Sequence, residues 1–193
     1  MINRLKASFP KYPLATTSSS DFYIVDFKKI NGGGVMLFNT KPEHPGVYIS
    51  NPPLVSVVFL GFSDNAFVPI IGQSAKHCEC VLFPEVCNHN DWILFIETKY
   101  VDNIENAFRE NRGYPGIMID QIIQTVNVFR NQGIIEQDRR VWAIVSFPKL
   151  VEDFAAFFFT GKISIEDMLL NHKIVIKATN SATVVSPKRI KLN

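Results

Sequence analysis

The stretch Asp91-Trp92-Ile93-Leu94-Phe95-Ile96-Glu97-Thr98-Lys99 is an apolar run that ends in a carboxylate and an ammonium two positions apart. Side chains alternate across a strand, so Glu97 and Lys99 share a face. Asp91 shares it too, but it lies about 20 Å from Glu97 along a strand and cannot act with it. An earlier apolar strand, Cys78-Glu79-Cys80-Val81-Leu82-Phe83, carries a second carboxylate near its start. Pro84 to Asp91 is a polar connection of hairpin length. An antiparallel hairpin centred near Asn88 sets Glu79 opposite Glu97, Val81 opposite Phe95 and Phe83 opposite Ile93, all on one face. A slip of one residue would put a residue of the wrong face opposite. Cross-strand neighbours lie about 5 Å apart, so the two acids can share one ion. Buried together they repel, and a metal ion or Lys99 relieves that penalty.

Helical character begins after this hairpin. Asn103 to Arg109 reads as a short helix, interrupted by Gly113-Tyr114-Pro115-Gly116. From 116 to 130 the apolar stripe Ile119, Ile122, Ile123, Val126, Phe129 has helical period, with Gln121 and Gln124 beside it. Asn131-Gln132-Gly133 stops it. Val141 to Phe147 is a strand. Strand, helix, strand in this order predicts a crossover and hence a parallel pair packed under a helix.

The flanks are read more coarsely. Residues 1–20 look irregular because of Pro10, Pro13 and the polar run after them. Phe22 to Phe27 and Val35 to Phe38 are strands, and Asn31-Gly32-Gly33-Gly34 is their hairpin turn. Lys41 to Pro53 reads as a proline-rich loop, Leu54 to Phe62 as a strand and Phe67 to Ile71 as a short apolar piece. Leu150 to Phe159 reads as a helix, and Ser164 caps another. Lys173 to Lys177 and Val184 to Leu192 close the chain as strands. The expectation is a single domain over 1–193 of mixed α/β (α+β) class, built on a central mixed sheet. An N-terminal irregular and hairpin region spans 1–62, a core 75–148, and a helical and strand extension 149–193.

Composition excludes several classes. Apolar residues make up 47% of the chain, enough for a core, and the 16 phenylalanines make that core aromatic-rich. A net charge of +2 permits nucleic-acid binding without demanding it. Met1 to Lys6 lacks the apolar run of a signal peptide, and no stretch reaches the roughly 18 uncharged residues that span a bilayer. The expectation is a cytoplasmic protein with no membrane partner, and the three cysteines fit reduced thiols. His77, Cys78, Cys80, Cys87 and His89 have the elements of a zinc site, but one residue between the first cysteines is too few for a knuckle. Cys78 and Cys80 read instead as core thiols sharing the face opposite Glu79.

Taken together, the hairpin, the crossover helix and the following strand resemble the restriction-endonuclease-like core of the PD-(D/E)XK nuclease superfamily, over roughly residues 75–148. Glu79 matches the family's first acid, although Cys78 stands where its proline would precede it. Glu97-Thr98-Lys99 matches its acid-x-lysine pair, and Gln121 or Gln124 its helix glutamine. The family's N-terminal helix commonly presents a glutamate; the preceding region here reads as proline-rich strand, and Glu43 is a poor match. The resemblance implies a hydrolase, an endonuclease cutting nucleic acid, DNA before RNA. Glu79 and Glu97 would hold Mg2+ or Mn2+, Lys99 would stabilise charge on the phosphate, and Gln121 or Gln124 would contact substrate or water. Arg109, Arg112, Arg130, Arg139, Arg140 and Lys149 are candidate phosphate contacts. A catalytically inactive relative, acting as a binding or interaction module, is the alternative. Phe157-Phe158-Phe159 cannot all point inward from a helix, which suggests a homodimer face.

Overall fold

The computed structural model describes residues 1–71, 76–159 and 164–193. The chain opens with helix α1 (Ile2–Ser8) and strand β1 (Ala15–Thr17), followed by β2 (Asp21–Asp26), α2 (Lys28–Asn31), β3 (Val35–Phe38), β4 (Val47–Ser50) and β5 (Val57–Gly61). Next come α3 (Val68–Ile71), β6 (Cys80–Pro84), β7 (Leu94–Thr98), α4 (Ile104–Phe108), α5 (Tyr114–Asn131) and β8 (Val141–Ser146). It ends with α6 (Ala155–Phe158), α7 (Ile165–His172), β9 (Ile174–Ala178), β10 (Ser181–Ser186) and β11 (Arg189–Leu192).

These strands form two sheets. The six-stranded sheet has the order β1-β5-β6-β7-β8-β9, antiparallel from β1 to β7 and parallel from β7 to β9. The five-stranded sheet has the order β11-β10-β4-β2-β3 and takes strands from both ends of the sequence. Strands β6 and β7 are buried at every position because both faces are covered. Cys80, Leu82, Leu94 and Ile96 share one apolar cluster with Phe22, Ile24, Val47 and Ile49 of the smaller sheet. Val81, Phe83, Ile93 and Phe95 belong to the other, with the inner face of α5. The class is therefore mixed α/β, with a central sheet covered by helices on one face and a second sheet on the other.

The predicted hairpin register is the one found: Val81 pairs with Phe95, and Cys80 with Ile96. The crossover is also as expected, with α5 joining β7 to a parallel β8. Proline in its first turn and left-handed Gly113 (φ 55°) start α5, and left-handed Gly133 (φ 62°) follows its end. Its buried stripe is Met118, Ile119, Ile122, Thr125, Val126 and Phe129.

Four expectations are corrected. Residues 1–20 are not irregular: α1 buries Leu5, Phe9 follows it into the core, and β1 pairs with β5. The proline-rich stretch 41–53 contains β4, because Val47 to Ser50 lies between the proline pairs and is free to pair with β2. Residues 150–159 form only the single turn α6. The last segment is a hairpin rather than one strand, since the chain turns at Ser186-Pro187-Lys188 between β10 and β11. The Ser164 cap is present as a full capping box with Asp167. Phe158 is buried, Phe159 is half-buried and Phe157 is about half exposed against Phe108. Among the described residues no helix is long and apolar enough to cross a membrane.

Candidate active site

Glu79 and Glu97 meet where β6 begins and β7 ends. The Glu79 N–H donates to the Ile96 carbonyl (2.9 Å), although Ile96 is the partner of Cys80, so two residues of this strand face one of β7 and the pairing shifts just before β6. Both are buried: the Glu79 side chain is 6% exposed and that of Glu97 0%. Lys99 donates to Glu97 Oε1, as the two-residue spacing predicts.

Helix α5 fixes this corner. Gln121 Nε2 donates to the His77 carbonyl (2.7 Å), and the Cys78 N–H donates to Thr125 Oγ1 (2.8 Å). The Thr125 hydroxyl in turn donates to the Gln121 carbonyl (2.7 Å). Gln121 is thus a positioning residue that holds the strand leading into Glu79, whereas Gln124 is exposed on the same helix. Thr125→Val keeps the shape but leaves a buried N–H unpaired. The expected loss is about 1–3 kcal/mol of stability in urea unfolding; a variant as stable as wild type would show that this bond does not anchor the corner.

The smaller sheet contributes residues that local sequence patterns did not flag. Lys28, just past β2, forms an ion pair with Glu79 and lies 3.2 Å from Asp64. The Asp26 N–H donates to the Tyr100 hydroxyl (3.2 Å), which donates to the Pro45 carbonyl (3.1 Å). Asp26-Phe27-Lys28 repeats the acid-x-lysine pattern of Glu97-Thr98-Lys99 at a second strand end. That repetition is the signal that would have found it.

Electrostatics follow from burial. Burial first, then the Glu79 charge, raises the Glu97 carboxyl well above its ordinary range, and Lys99 offsets only part of this. Burial also raises Glu79, while the Lys28 ammonium pulls it back down. Burial alone would lower Lys28, but Glu79 together with Asp26 and Asp64 outweighs it and the ammonium is held above its usual value. The Tyr100 phenol is pushed up to about 12, mainly by burial. Among the described residues Glu97 Oε2 has no hydrogen-bond partner, and Glu79 Oε2 meets Lys28 as an ion pair without an aligned hydrogen bond.

The two acids therefore do not lie in an open cleft, contrary to what a ready nuclease site predicts; each is covered by its own lysine. The expected basic rim is also reduced. Arg130 is buried and donates to the carbonyls of Arg139 (3.1 Å) and His172 (2.9 Å). Arg139 is buried at the opposite end of β7 and donates to the carbonyls of Asn88 (2.7 Å) and Asp91 (2.9 Å). Both guanidiniums replace hydration with backbone carbonyls and cannot contact phosphate. Arg109, Arg112 and Lys149 stay near the acids' end, paired with Glu105, Tyr114 and Asp102. Arg140 is exposed at the start of β8, on the same far end as Arg139.

The zinc-like residues disperse. His77 is buried against Phe67 and Phe62 with its nitrogens at the Cys78 and Asp64 carbonyls. Cys78 lies in the helix-side cluster and Cys80 between the sheets, so they do not share a face; the chain changes face at Glu79, just before β6. Cys87 and His89 sit at the far end of the hairpin, where His89 meets Glu136 at 3.5 Å. Asp91 accepts from Asn88 there (2.7 Å) and is remote from Glu97, as expected.

Two carboxylates with under-used oxygens form a hard, all-oxygen donor set that suits a magnesium-like ion. Among the described residues no group of three or more His, Cys, Asp or Glu could hold a metal, so water and substrate would have to complete the shell. Compared with protein-family models, with curated proteins and with solved structures, the chain matches none of them.

Proposed function

We propose that the protein hydrolyses phosphodiester bonds in nucleic acid with one divalent cation, Mg2+ or Mn2+, at Glu79 and Glu97. The observation that carries this reading is the corner itself: two buried carboxylates, one just before β6 and one near the end of β7, each with an oxygen short of a hydrogen bond, and a lysine two residues after the second. The order of antiparallel strands, crossover helix and parallel strand supports a restriction-endonuclease-like core, and α1 supplies a preceding helix, though one without a glutamate.

When bound, the cation polarises the scissile phosphate and makes a bound water acidic. Lys99 leaves Glu97 to stabilise charge on the phosphate oxygens. Gln121 and Thr125 keep Glu79 in register. Arg112 and Lys149 are the remaining candidates for holding the substrate backbone. DNA is placed before RNA on the resemblance alone.

One observation favours a second reading, a catalytically silent module on the same core: both acids are buried and already neutralised by lysines. In that case the exposed Ile165, Leu169 and Leu170 of α7 would serve a homodimer or another partner.

The test is cleavage of single- and double-stranded DNA and of RNA in Mg2+ or Mn2+, with Lys99→Ala beside wild type. Wild type is expected to cut and Lys99→Ala to lose about 10²-fold or more, the scale of removing one donor from a developing oxyanion. Equal background cleavage by both proteins would leave the silent module standing.

A further inference from the structure

We propose that Lys28 is the resident cation of the Glu79 carboxylate, and that a divalent ion reaches the two glutamates by displacing it. This rests on the metal reading above and adds a residue from the other sheet to that site.

Lys28 comes from α2, a single turn that follows β2 in the smaller sheet. Its ammonium lies on Glu79 Oε2, the oxygen a metal would need, and its side chain is only 14% exposed. Lys99 is engaged with Glu97, so each acid has its own ammonium. An ion shared by both glutamates would bring a third and fourth positive charge into contact with Lys28, and like charges at that range repel strongly in a partly buried site.

The displaced ammonium has somewhere to go. Asp64 already lies 3.2 Å from Lys28 Nζ and is 80% exposed, so a small swing keeps one ion pair while freeing Glu79. Asp26 Oδ1 accepts the Lys28 N–H (2.9 Å) and anchors the start of α2, while left-handed Gly32 (φ 73°) ends it. A side chain on Gly32 or Gly34 would meet nothing within 4 Å, whereas one on Gly33 would press on Asn31 and Phe27. The site therefore has two cation arrangements: lysine on Glu79, or lysine on Asp64 with the divalent ion on the glutamates.

The experiment titrates Mn2+ into wild type, Lys28→Met, Lys28→Arg and Glu97→Gln by calorimetry. Lys28→Met is expected to bind Mn2+ about tenfold or more tightly than wild type, a conservative share of one unit charge removed from contact range. Lys28→Arg should stay near wild type. In wild type, saturating Mn2+ should also speed acylation of the Lys28 amine, read by peptide mass spectrometry, which decides the matter if Lys28→Met does not fold. Binding lost in Glu97→Gln but unchanged or weaker in Lys28→Met, with Lys28 labelling indifferent to Mn2+, overturns the inference and leaves the metal reading intact. No Mn2+ binding by wild type or Lys28→Met removes the metal reading and this inference together.

Discussion

Glutamine in place of Glu97 is expected to silence metal-dependent cleavage and, at alkaline pH, to make the protein more stable than wild type. The first effect follows from losing an anionic metal ligand. Lewis-acid stabilisation is worth several kcal/mol, so the rate should fall by about 10³-fold or more. The second follows from burial. The Glu97 carboxyl is raised well above its ordinary value near 4.5, first by burial and then by Glu79. Between that ordinary value and the raised one, the folded state binds more protons than the unfolded state. Stability therefore falls as pH rises through this window, by about 1.4 kcal/mol for each unit separating the two values. Glu79 is raised as well and tilts the curve the same way. Glutamine cannot ionise, so Glu97→Gln should lose most of this slope. Urea unfolding of both proteins from pH 4 to pH 9 checks it. The curves should converge at the acid end and separate in the variant's favour at the alkaline end. Parallel curves would mean that the surroundings do not raise the Glu97 carboxyl.

The largest expected loss of stability is at Phe129. Its ring, fully buried on α5, meets Phe95 of β7 at 5.2 Å between centroids, Phe9 at 5.9 Å and Phe62 at 6.2 Å. One side chain thus joins the crossover helix, the central sheet, the segment after α1 and the end of β5. Truncation removes both burial and the aromatic contacts and leaves a cavity that four elements would have to close. Phe129→Ala should cost about 3–5 kcal/mol in denaturant unfolding. A loss under about 1 kcal/mol would show that the N-terminal segment does not pack here. Ile123, on the same helix and only partly buried, should cost much less when cut to alanine.

How far the sequence could be read depended on the range over which its signals act. Glu97 and Lys99 lie two apart on one strand and were legible as a pair, whereas parity across the short connection holds from Cys80 to Leu82 and breaks at Glu79, where the pairing shifts. The stripe on α5 was legible because its period repeats over several turns. Where a short element carries little periodicity, local composition misled. Val47 to Ser50 pairs despite the prolines around it, because those prolines lie outside the ladder. In α1 only Leu5 is buried, so no stripe announces the helix. Ser186-Pro187-Lys188 is a turn inside what reads as a continuous strand. Lys28 and Asp26 were missed for a different reason. Their approach to Glu79 is set by how one sheet packs on the other; the repeated acid-x-lysine pattern Asp26-Phe27-Lys28 marks this strand end but not the partner it meets. Arg130 and Arg139 looked like phosphate contacts because charge alone does not reveal burial; their work is to satisfy carbonyls at the far end of the sheet.

The central claim is that Glu79 and Glu97 hold one divalent ion. Anomalous diffraction from crystals of the wild-type protein equilibrated with Mn2+ tests it most directly. A single strong peak is expected within about 2–2.5 Å of a carboxylate oxygen from each glutamate, with the Lys28 ammonium moved off Glu79. Saturating Mn2+ with no peak at these carboxylates, or a peak only elsewhere with Lys28 still on Glu79, would contradict it.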